Sequence, residues 1–251
     1  MYIRITLTLA LLVSCIPAFA ASPNIHVGAV YDYLEPGKHI LVKRISNGGD
    51  ATAYVRVDVS EIVYDKQGQP REIPVDKTAF SGKNAGDADA NHAHALAASP
   101  SRLIVPANGQ LTTRLVAEGS RDIEHYYRIR FVPVVKPEDF ALSEDEVKAY
   151  SESVKAGVSV ITGYGTIVIA RPNKIRYETQ LDDKSETYTV RNQGNSIVLL
   201  DDFQDCRGSN DCTEHRKIHI LPGHSQQFAK ESGHTYRFFL VEGTARRPVR
   251  F

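Results

Sequence analysis

The chain consists largely of short runs in which apolar and polar residues alternate. These runs begin near Ile25, and Gly, Pro, Asn and Asp stand between them. Alternation with a period of two places every second side chain on the same face of a strand, so each run predicts a strand with one buried face. Many short strands divided by turn signals are typical of a β-sandwich. The fold class predicted from the pattern is all-β.

The predicted strands fall into two groups. The first group is Ile25–Tyr31, His39–Ser46, Ala53–Tyr64, Arg102–Val105, Gln110–Val116, Tyr126–Val134 and Val158–Ala170. The second group is Ile175–Leu181, Glu186–Arg191, Ile197–Phe203, Lys217–Leu221, Ser225–Ala229 and Tyr236–Val241. Pro172 fixes the backbone between the groups and favours an extended Arg171, which predicts a very short linker. We expect two domains, residues 21–171 and 172–251.

Two segments interrupt the regular spacing of the strands. Ser81–Pro100 is rich in Ala, Gly, Asn, Asp and His and has no period, which predicts a mobile loop. Pro137–Lys155 is acidic, and its Leu142–Glu146 stretch has the residues that cap a short helix. We expect this helix to be exposed.

The segment Gly157–Pro172 is the most informative part of the chain. One face of its first half carries Val158, Val160, Thr162 and Tyr164. In its second half, Ile167–Ile169 is an unbroken apolar run, as in a strand buried on both faces. No enzyme motif includes these residues, so we predict that an exposed edge or face of this strand holds another chain.

Residues 1–20 have the pattern of a secretory signal peptide. Arg4 precedes the apolar stretch Ile5–Ile16, and Ala18–Ala20 fits a small-residue cleavage site. A competing interpretation is that Leu12–Cys15 precedes a lipidated cysteine, as in bacterial lipoproteins. With simple cleavage the exported protein begins near Ala21, and no later segment is apolar for long enough to cross a membrane.

Composition and motifs argue against several function classes. The 30 basic and 30 acidic residues balance, which favours neither a nucleic-acid binder nor a polybasic membrane protein. The chain has no G-x-S-x-G elbow, H-E-x-x-H pair, phosphate-binding glycine loop or dinucleotide fingerprint. We predict no enzyme, cofactor or metal, although a carboxylate pair distant in sequence stays open.

Two cysteines follow the signal sequence, Cys206 and Cys212, in a stretch rich in turn residues. In an exported protein such a pair is most simply a disulfide that closes a small loop. A thiol-redox motif would need a C-x-x-C spacing, and a zinc site would need further ligands at suitable spacing.

Histidines form two groups along the chain. His92 and His94 would point to one side of an extended segment, as in some metal sites, but incidental histidines in a loop are the favoured interpretation. His215, His219 and His224 surround a predicted hairpin. Because the local pattern is strand and turn, we expect these three on the surface.

Several basic residues lie inside predicted strands. They are Lys43, Arg44, Arg56, Arg114, Arg128 and Arg130. A solvated outer face is the usual position for such a residue. A functional one would anchor a carboxylate, most usefully the C-terminal carboxylate of a bound peptide.

Several segments together resemble periplasmic pilus chaperones of chaperone–usher systems. Tyr126–Val134, an acidic loop and the ending Ala170-Arg171-Pro172 resemble the F and G strands of the first domain of that family. Leu103–Gln110 with Thr113-Arg114-Leu115 is similar to the family's hairpin just upstream. Cys206 with Cys212, followed by Ile220–Ser225, resembles the alternate branch that assembles CS1/CFA/I-like or E. coli common pilus-type fimbriae.

The resemblance implies two immunoglobulin-like β-sandwich domains in a boomerang arrangement, without catalysis. Such chaperones lend their G strand to fimbrial subunits and deliver them to an outer-membrane usher, which is β-augmentation in physical terms. The matching groove-filling positions here are Val158, Val160 and Thr162. The implied location is the periplasm, and the resemblance leaves open whether the unbound chain dimerises.

The match departs from the family at its carboxylate anchor. The commoner branch has a basic residue on the first strand and another on the G strand; here these positions hold Gly28 or Tyr31, and Ile167. Arg114, Arg128 and Lys43 are the substitutes that we consider.

The family's buried interdomain charges are matched better than its anchor. They correspond to Arg171, Asp122 and Glu242, which we expect to fix the angle between the domains.

Two other functions remain as alternatives. A fimbrial subunit or adhesin would be one incomplete sandwich with an N-terminal donor segment, and Ala21–Asn24 is too short to donate a strand. A periplasmic hydrolase on a β scaffold would need polar residues that converge in a pocket.

Overall fold

A computed structural model describes residues 22–65, 68–75, 94–134, 140–155, 162–208 and 211–251. These residues contain eighteen strands and one helix, which confirms the all-β prediction. The strands of the first part are β1 (Ile25–His26), β2 (Tyr31–Leu34), β3 (Ile40–Asn47), β4 (Ala53–Tyr64), β5 (Pro70–Pro74), β6 (His94–Ser99), β7 (Arg102–Val105), β8 (Gln110–Gly119), β9 (His125–Pro133) and β10 (Tyr164–Ala170). Helix α1 (Glu144–Lys155) precedes β10. The second part contains β11 (Thr179–Asp182), β12 (Thr187–Asn192), β13 (Val198–Arg207), β14 (Asp211–Cys212), β15 (Arg216–Ile220), β16 (Ser225–Ala229), β17 (His234–Glu242) and β18 (Ala245–Arg250).

The first ten strands form two sheets around one apolar core. One sheet has the order β1-β3-β8-β6, and the other has the order β2-β10-β9-β4-β5 with β7 also paired to β4. Alternate residues of each strand enter the space between the sheets. Val55 and Val57 of β4, Leu115 of β8 and Ile129 and Phe131 of β9 are almost completely buried there. Burial of one face of each strand supplies the main driving force for this sandwich.

The last eight strands form a second pair of sheets. Their orders are β11-β12-β16 and β14-β13-β17-β18, with β15 paired to β13. The core between them is rich in aromatic residues and includes Phe203, Phe228 and Phe238. Within the described residues, no strand of the first set pairs with a strand of the second. The boundary between residues 171 and 172 stays a prediction, although the two cores are separate.

The first predicted strand, Ile25–Tyr31, is two short strands that belong to different sheets. In β1, Ile25 pairs with Asn47 in an antiparallel ladder. Gly28 then takes a left-handed backbone with φ of 75°, which glycine adopts at little steric cost. Beyond it, β2 crosses to the other sheet and pairs in parallel with β10, with Tyr31 opposite Ile167. The position of β2 against β10 is the feature that matters for the site.

Four strands, β5, β6, β14 and β18, have no counterpart in the sequence prediction. Residues 94–99 form β6 rather than a loop, because Ala95 and Leu96 are buried where β6 pairs with β8; the rest of the predicted loop up to residue 93 lies outside the described residues. Because β5 contains prolines and β18 contains several arginines, neither segment alternates regularly between apolar and polar residues, and neither was predicted as a strand. Both are edge strands, where proline and charge are tolerated.

Helix α1 begins with a capping box. The amide of Glu146 donates to Ser143 Oγ at 3.3 Å, and the amide of Ser143 donates to Glu146 Oε2 at 2.9 Å. Tyr150 of this helix is buried, and its ring packs against Tyr54 at a centroid distance of 4.5 Å. The predicted helix is confirmed, and Glu144, Asp145 and Glu146 of its first turn are exposed.

Replacing Ser143 with alanine is expected to destabilise the start of α1 by about 1 kcal/mol, since the Glu146 amide loses its acceptor. Hydrogen exchange of the first-turn amides should then accelerate about fivefold. Ser151→Ala, in the helix interior, is the matched control and should not accelerate exchange, because alanine favours a helix. Equal exchange in both variants would show that the box contributes nothing.

A disulfide joins Cys206 to Cys212, which lie opposite each other on β13 and β14, and this confirms the prediction. The guanidinium of Arg237 donates to both sulfur atoms at 2.7 Å. Within the described part of the chain, no helix is both long and apolar enough to span a bilayer.

Candidate functional site

Strand β10 has an open edge at its N-terminal end. On one side it pairs with β9 along its whole length, whereas β2 covers its other side only from Ile167 to Ala170. The Ile167 amide donates to Val30 O at 2.7 Å, on the β2 side. Because amides point alternately to the two sides of a strand, the Gly165 amide faces the same side, where no described strand pairs with it. An unpaired strand edge of this kind can accept a strand from another chain.

The side chains along this edge are small or partly buried. Thr162 and Gly165 are exposed, while Tyr164 is half-buried and packs against the core of the first sandwich. A side chain added at Gly165 would first meet Arg128 Cδ, at 3.6 Å. Val158 and Val160 lie outside the described residues, so the groove-filling face stays a prediction.

The outer face of this sheet carries a charged cluster next to the open edge. Arg128 lies opposite Ile167, and Arg130 lies opposite Gly165. The two arginines share Glu72: Arg128 Nε is 3.4 Å from Glu72 Oε1, and the nearest Arg130 nitrogen is 2.6 Å from Glu72 Oε2. The hydrogen bond from Arg130 is the main reason that the pKa of Glu72 lies below its usual value. Two cations therefore share one carboxylate beside the edge.

The two other predicted anchors lie elsewhere. Lys43 is only 3% exposed, and its ammonium donates to Asp32 Oδ2 at 2.7 Å and to Ala29 O at 2.9 Å. Its charge is already compensated inside the sandwich, where it ties β3 to the start of β2. Arg114 is exposed on the other sheet, opposite Val42. Of the three predicted anchors, only Arg128 lies on the same sheet as β10.

Arg171 lies where the two sets of sheets meet, directly after β10. It is 5% exposed and donates to the hydroxyl groups of Tyr177 and Ser196, the latter at 2.9 Å. Its Nε is 3.2 Å from Glu35 Oε1, and its guanidinium lies 4.7 Å from the centre of the Tyr33 ring. Arg171 thus contacts residues from both sides of the junction.

The buried acid of the junction is Glu124. Its carboxylate accepts hydrogen bonds from the Tyr126 hydroxyl at 2.7 Å, from the Ile197 amide at 2.8 Å and from the Ser196 hydroxyl. Burial raises the pKa of this carboxyl group against the opposing effect of these donors. Ser196 bridges the acid to Arg171, so a chain of hydrogen bonds crosses the junction.

The sequence had pointed to other acids. Asp122 is exposed and accepts a local hydrogen bond from Ser120, two residues earlier. Glu242 accepts a hydrogen bond from Thr179 at 2.7 Å, and both residues belong to the second set of strands. The acid that the structure places at the junction is Glu124, while Glu242 bonds to Thr179 of its own set of strands.

The sequence prediction also missed Arg121. Arg121 is 3% exposed, and its guanidinium donates to the carbonyl oxygens of Leu34 and Glu35, each at 3.2 Å. It also reaches Asn173 Oδ1 at 3.4 Å, beyond Pro172. Arg121 therefore fastens the end of β2 to the junction.

His219 is half-buried, although we expected a surface position. Its Nε2 shares a hydrogen bond of 2.9 Å with the Tyr33 hydroxyl, and its ring lies 4.2 Å from the ring of Tyr31. Burial, with Lys217 and Arg171 nearby, lowers the pKa of His219 to about 4. The correction has a simple cause: His219 is on β15, but the tyrosines that cover it are on β2, in the other set of strands.

A narrow cleft lies on another side of the junction. It has a volume of about 310 Å³, and Tyr64 and Tyr126 line it together with Pro222 and His224 of the second part. The turn at Gly68 approaches the imidazole of His224 closely. The described residues include no group of three or more His, Cys, Asp or Glu side chains placed to hold a metal ion.

Sequence comparison gives no match to a family model and no significant match to a curated protein. Comparison with solved structures gives strong matches over almost the whole chain. The crystal structure of the class 5 fimbriae chaperone CfaA aligns with a TM-score of 0.57 at 18% identity, covering 91% of this chain and 98% of that one. The chain has the fold of a fimbrial chaperone.

Two further matches come from complexes. A chain of the chaperone–tip adhesin complex of CFA/I fimbriae gives a TM-score of 0.53 at 16% identity, over 91% of this chain and 97% of that one. A chain of the CsuC–CsuE pre-assembly complex of Acinetobacter baumannii gives 0.53 at 12% identity, over 92% and 98%. At these identities the likeness concerns the fold.

Proposed function

We propose that this chain is a periplasmic chaperone that binds fimbrial subunits through strand β10 and delivers them to an outer-membrane usher. The observation that carries the proposal is the open edge at Tyr164–Thr166, in a chain with the fold of fimbrial chaperones. In this proposal residues 1–20 are removed on export, residues 21–171 and 172–251 are the two domains, and the chain needs no cofactor and catalyses no reaction.

Binding would proceed by strand addition. A subunit strand would pair with the free main-chain groups of β10, beginning at the Gly165 amide. The preceding residues would extend the edge, and Val158, Val160 and Thr162 would fill the subunit's groove. Main-chain pairing supplies affinity for any extended partner, while the groove-filling side chains select the partner.

The alternative of a fimbrial subunit is less well supported. A subunit would be one incomplete sandwich, whereas the described strands form two pairs of sheets, each around its own core.

Arg128 is the residue that we propose as carboxylate anchor. It lies opposite Ile167, about a third of its side chain is exposed, and its contact with Glu72 is long. Glu72 is also held by the shorter contact to Arg130, so Arg128 can turn to a subunit carboxylate without leaving Glu72 unpaired. Lys43 is already paired with Asp32, and Arg114 is on the other sheet.

Arg128→Gln is expected to weaken subunit binding about tenfold, which is typical for the loss of one charge-assisted hydrogen bond. The measurement is the Kd of a purified subunit for each variant. Arg114→Gln is the matched control and should leave the Kd unchanged. Weakening by Arg114→Gln instead would place the anchor on the other sheet.

The proposal as a whole is tested by recovery of a subunit. The fimbrial subunit that we expect to be encoded beside this chain's gene is expressed for export with and without the chain. We expect it to accumulate as a one-to-one complex only when the chain is present, and the complex should then bind the periplasmic domain of the usher from the same gene cluster. Equal recovery of the subunit without the chain would overturn the proposal.

A further inference from the structure

Strand β2 is short, and contacts on both of its faces hold it in place. On the inner face, the side chain of Asp32 is paired with the buried ammonium of Lys43. On the outer face, Tyr31 and Tyr33 meet His219, which comes from the second set of strands. The hydrogen-bond ladder between β2 and β10 lies between these two faces. Any group that holds β2 therefore also positions Ile167–Ala170 of β10.

We propose that His219, which belongs to the second sandwich, is a positioning residue. It holds β2 against β10 and releases this hold when it is protonated. The inference rests on the proposed function only where it identifies β10 as the subunit-binding strand.

The charged and titratable groups around His219 oppose a positive charge at this position. Tyr31 and Tyr33 face it from β2, Arg171 from the end of β10, Lys217 from its own strand and Asp201 from β13. Asp201, the one anion among them, is already bound to Lys217 at 2.9 Å and lies 3.6 Å from Arg246. Tyr33 stays neutral, because burial raises its pKa to about 12. A second proton on His219 would therefore be repelled by Lys217 and Arg171 in a half-buried site.

The sign of the pH effect follows from these contacts. In the folded chain the pKa of His219 is about 4, below its usual 6.5, mainly because the site is buried. A group with a lowered pKa stabilises the contact fully above pH 6.5, and this stabilisation is lost as the pH falls towards 4. For an imidazole whose pKa returns to 6.5 on detachment of β2, this equilibrium should be about 20-fold more favourable at pH 5 than at pH 7.

Hydrogen exchange of two amides in the unbound chain measures this equilibrium. The amides of Ile167 and Arg171 donate to carbonyl oxygens of Val30 and Leu34, so they are protected only while β2 is attached. Their protection factors, corrected for intrinsic exchange, should fall about 30-fold between pH 7.5 and pH 5.0. In His219→Gln, whose side-chain amide can still bond to Tyr33 but does not titrate, the fall should be absent.

Lys217→Gln provides a second variant that leaves His219 in place. It removes a nearby cation and frees Asp201, so the pKa of His219 should rise, as measured by NMR titration. The fall in amide protection at pH 5.0 should then be smaller than in the parent chain. The inference is overturned if the fall persists in His219→Gln, or if His219 titrates near 6.5 in the folded chain. These measurements need no subunit, so failure of the proposed function would leave them unchanged. If the proposed function and the role of His219 are both correct, the subunit should bind the parent chain more weakly than it binds His219→Gln at pH 5.0.

Discussion

Replacing Gly165 with proline is expected to weaken subunit binding about 100-fold while the chain stays folded. The Gly165 amide faces the side of β10 where β2 has ended, so proline removes a donor that is not paired with any described strand. A subunit strand docked at this edge would be left with an unpaired carbonyl oxygen and would meet the proline ring. Both effects act on the complex and spare the ladder between β9 and β10.

The fold should tolerate this proline. Gly165 does not have a left-handed backbone, and the nearest atom to an added Cβ is Arg128 Cδ at 3.6 Å, an ordinary contact. Proline is accepted on edge strands when its nitrogen faces away from the ladder, and the preceding residue is already extended. The free energy of unfolding should therefore change by less than about 1 kcal/mol.

Gly165→Ala is the matched control for the proline variant. It adds a side-chain atom at the same position and keeps the amide donor, so subunit affinity should stay within about twofold of the parent chain. Isothermal titration with a purified subunit gives the Kd, and urea unfolding checks the fold. If proline and alanine behave alike in binding, the subunit does not pair with this edge.

The strands that agree best with the sequence are those with unbroken alternation. Strand β7 begins and ends at the predicted residues, and its buried positions follow a strict period of two. Strand β4 also has the predicted bounds, and its buried positions alternate from Ala53 to Val57. The first strand does not agree, because Gly28 lets it change sheets in the middle of an apolar run. Alternation reports which face of a strand is buried, but it does not report which sheet the strand joins.

The junction could not be predicted from the sequence in the same way. Glu124 follows Asp122 by two residues in a stretch without regular alternation, and only contact with Ser196 and Ile197 distinguishes the two acids. His219 likewise depends on β2, which is distant in the chain. Burial of such groups is determined by two surfaces that meet, whereas a sequence pattern describes one strand at a time.

Glu124→Ala is expected to lower the free energy of unfolding by about 3 kcal/mol, because it leaves buried donors unsatisfied and weakens compensation of Arg171. The Ile197 amide and the Ser196 hydroxyl both lose their acceptor, and both belong to the second side of the junction. Urea unfolding of each variant measures the change. Asp122→Ala is the matched control, and its exposed carboxylate should contribute less than about 0.5 kcal/mol.

Glu124→Gln separates the hydrogen bonds of this carboxylate from its charge. Burial raises the pKa of Glu124, so the protein penalises the charge more than the three donors stabilise it. An uncharged amide that keeps one acceptor oxygen should therefore cost less than alanine, about 1 kcal/mol. A cost for glutamine as large as that for alanine would mean that the charge itself, acting on Arg171 through Ser196, holds the two sandwiches together. Equal effects of Asp122→Ala and Glu124→Ala on the free energy of unfolding would show that Glu124 does not stabilise the junction.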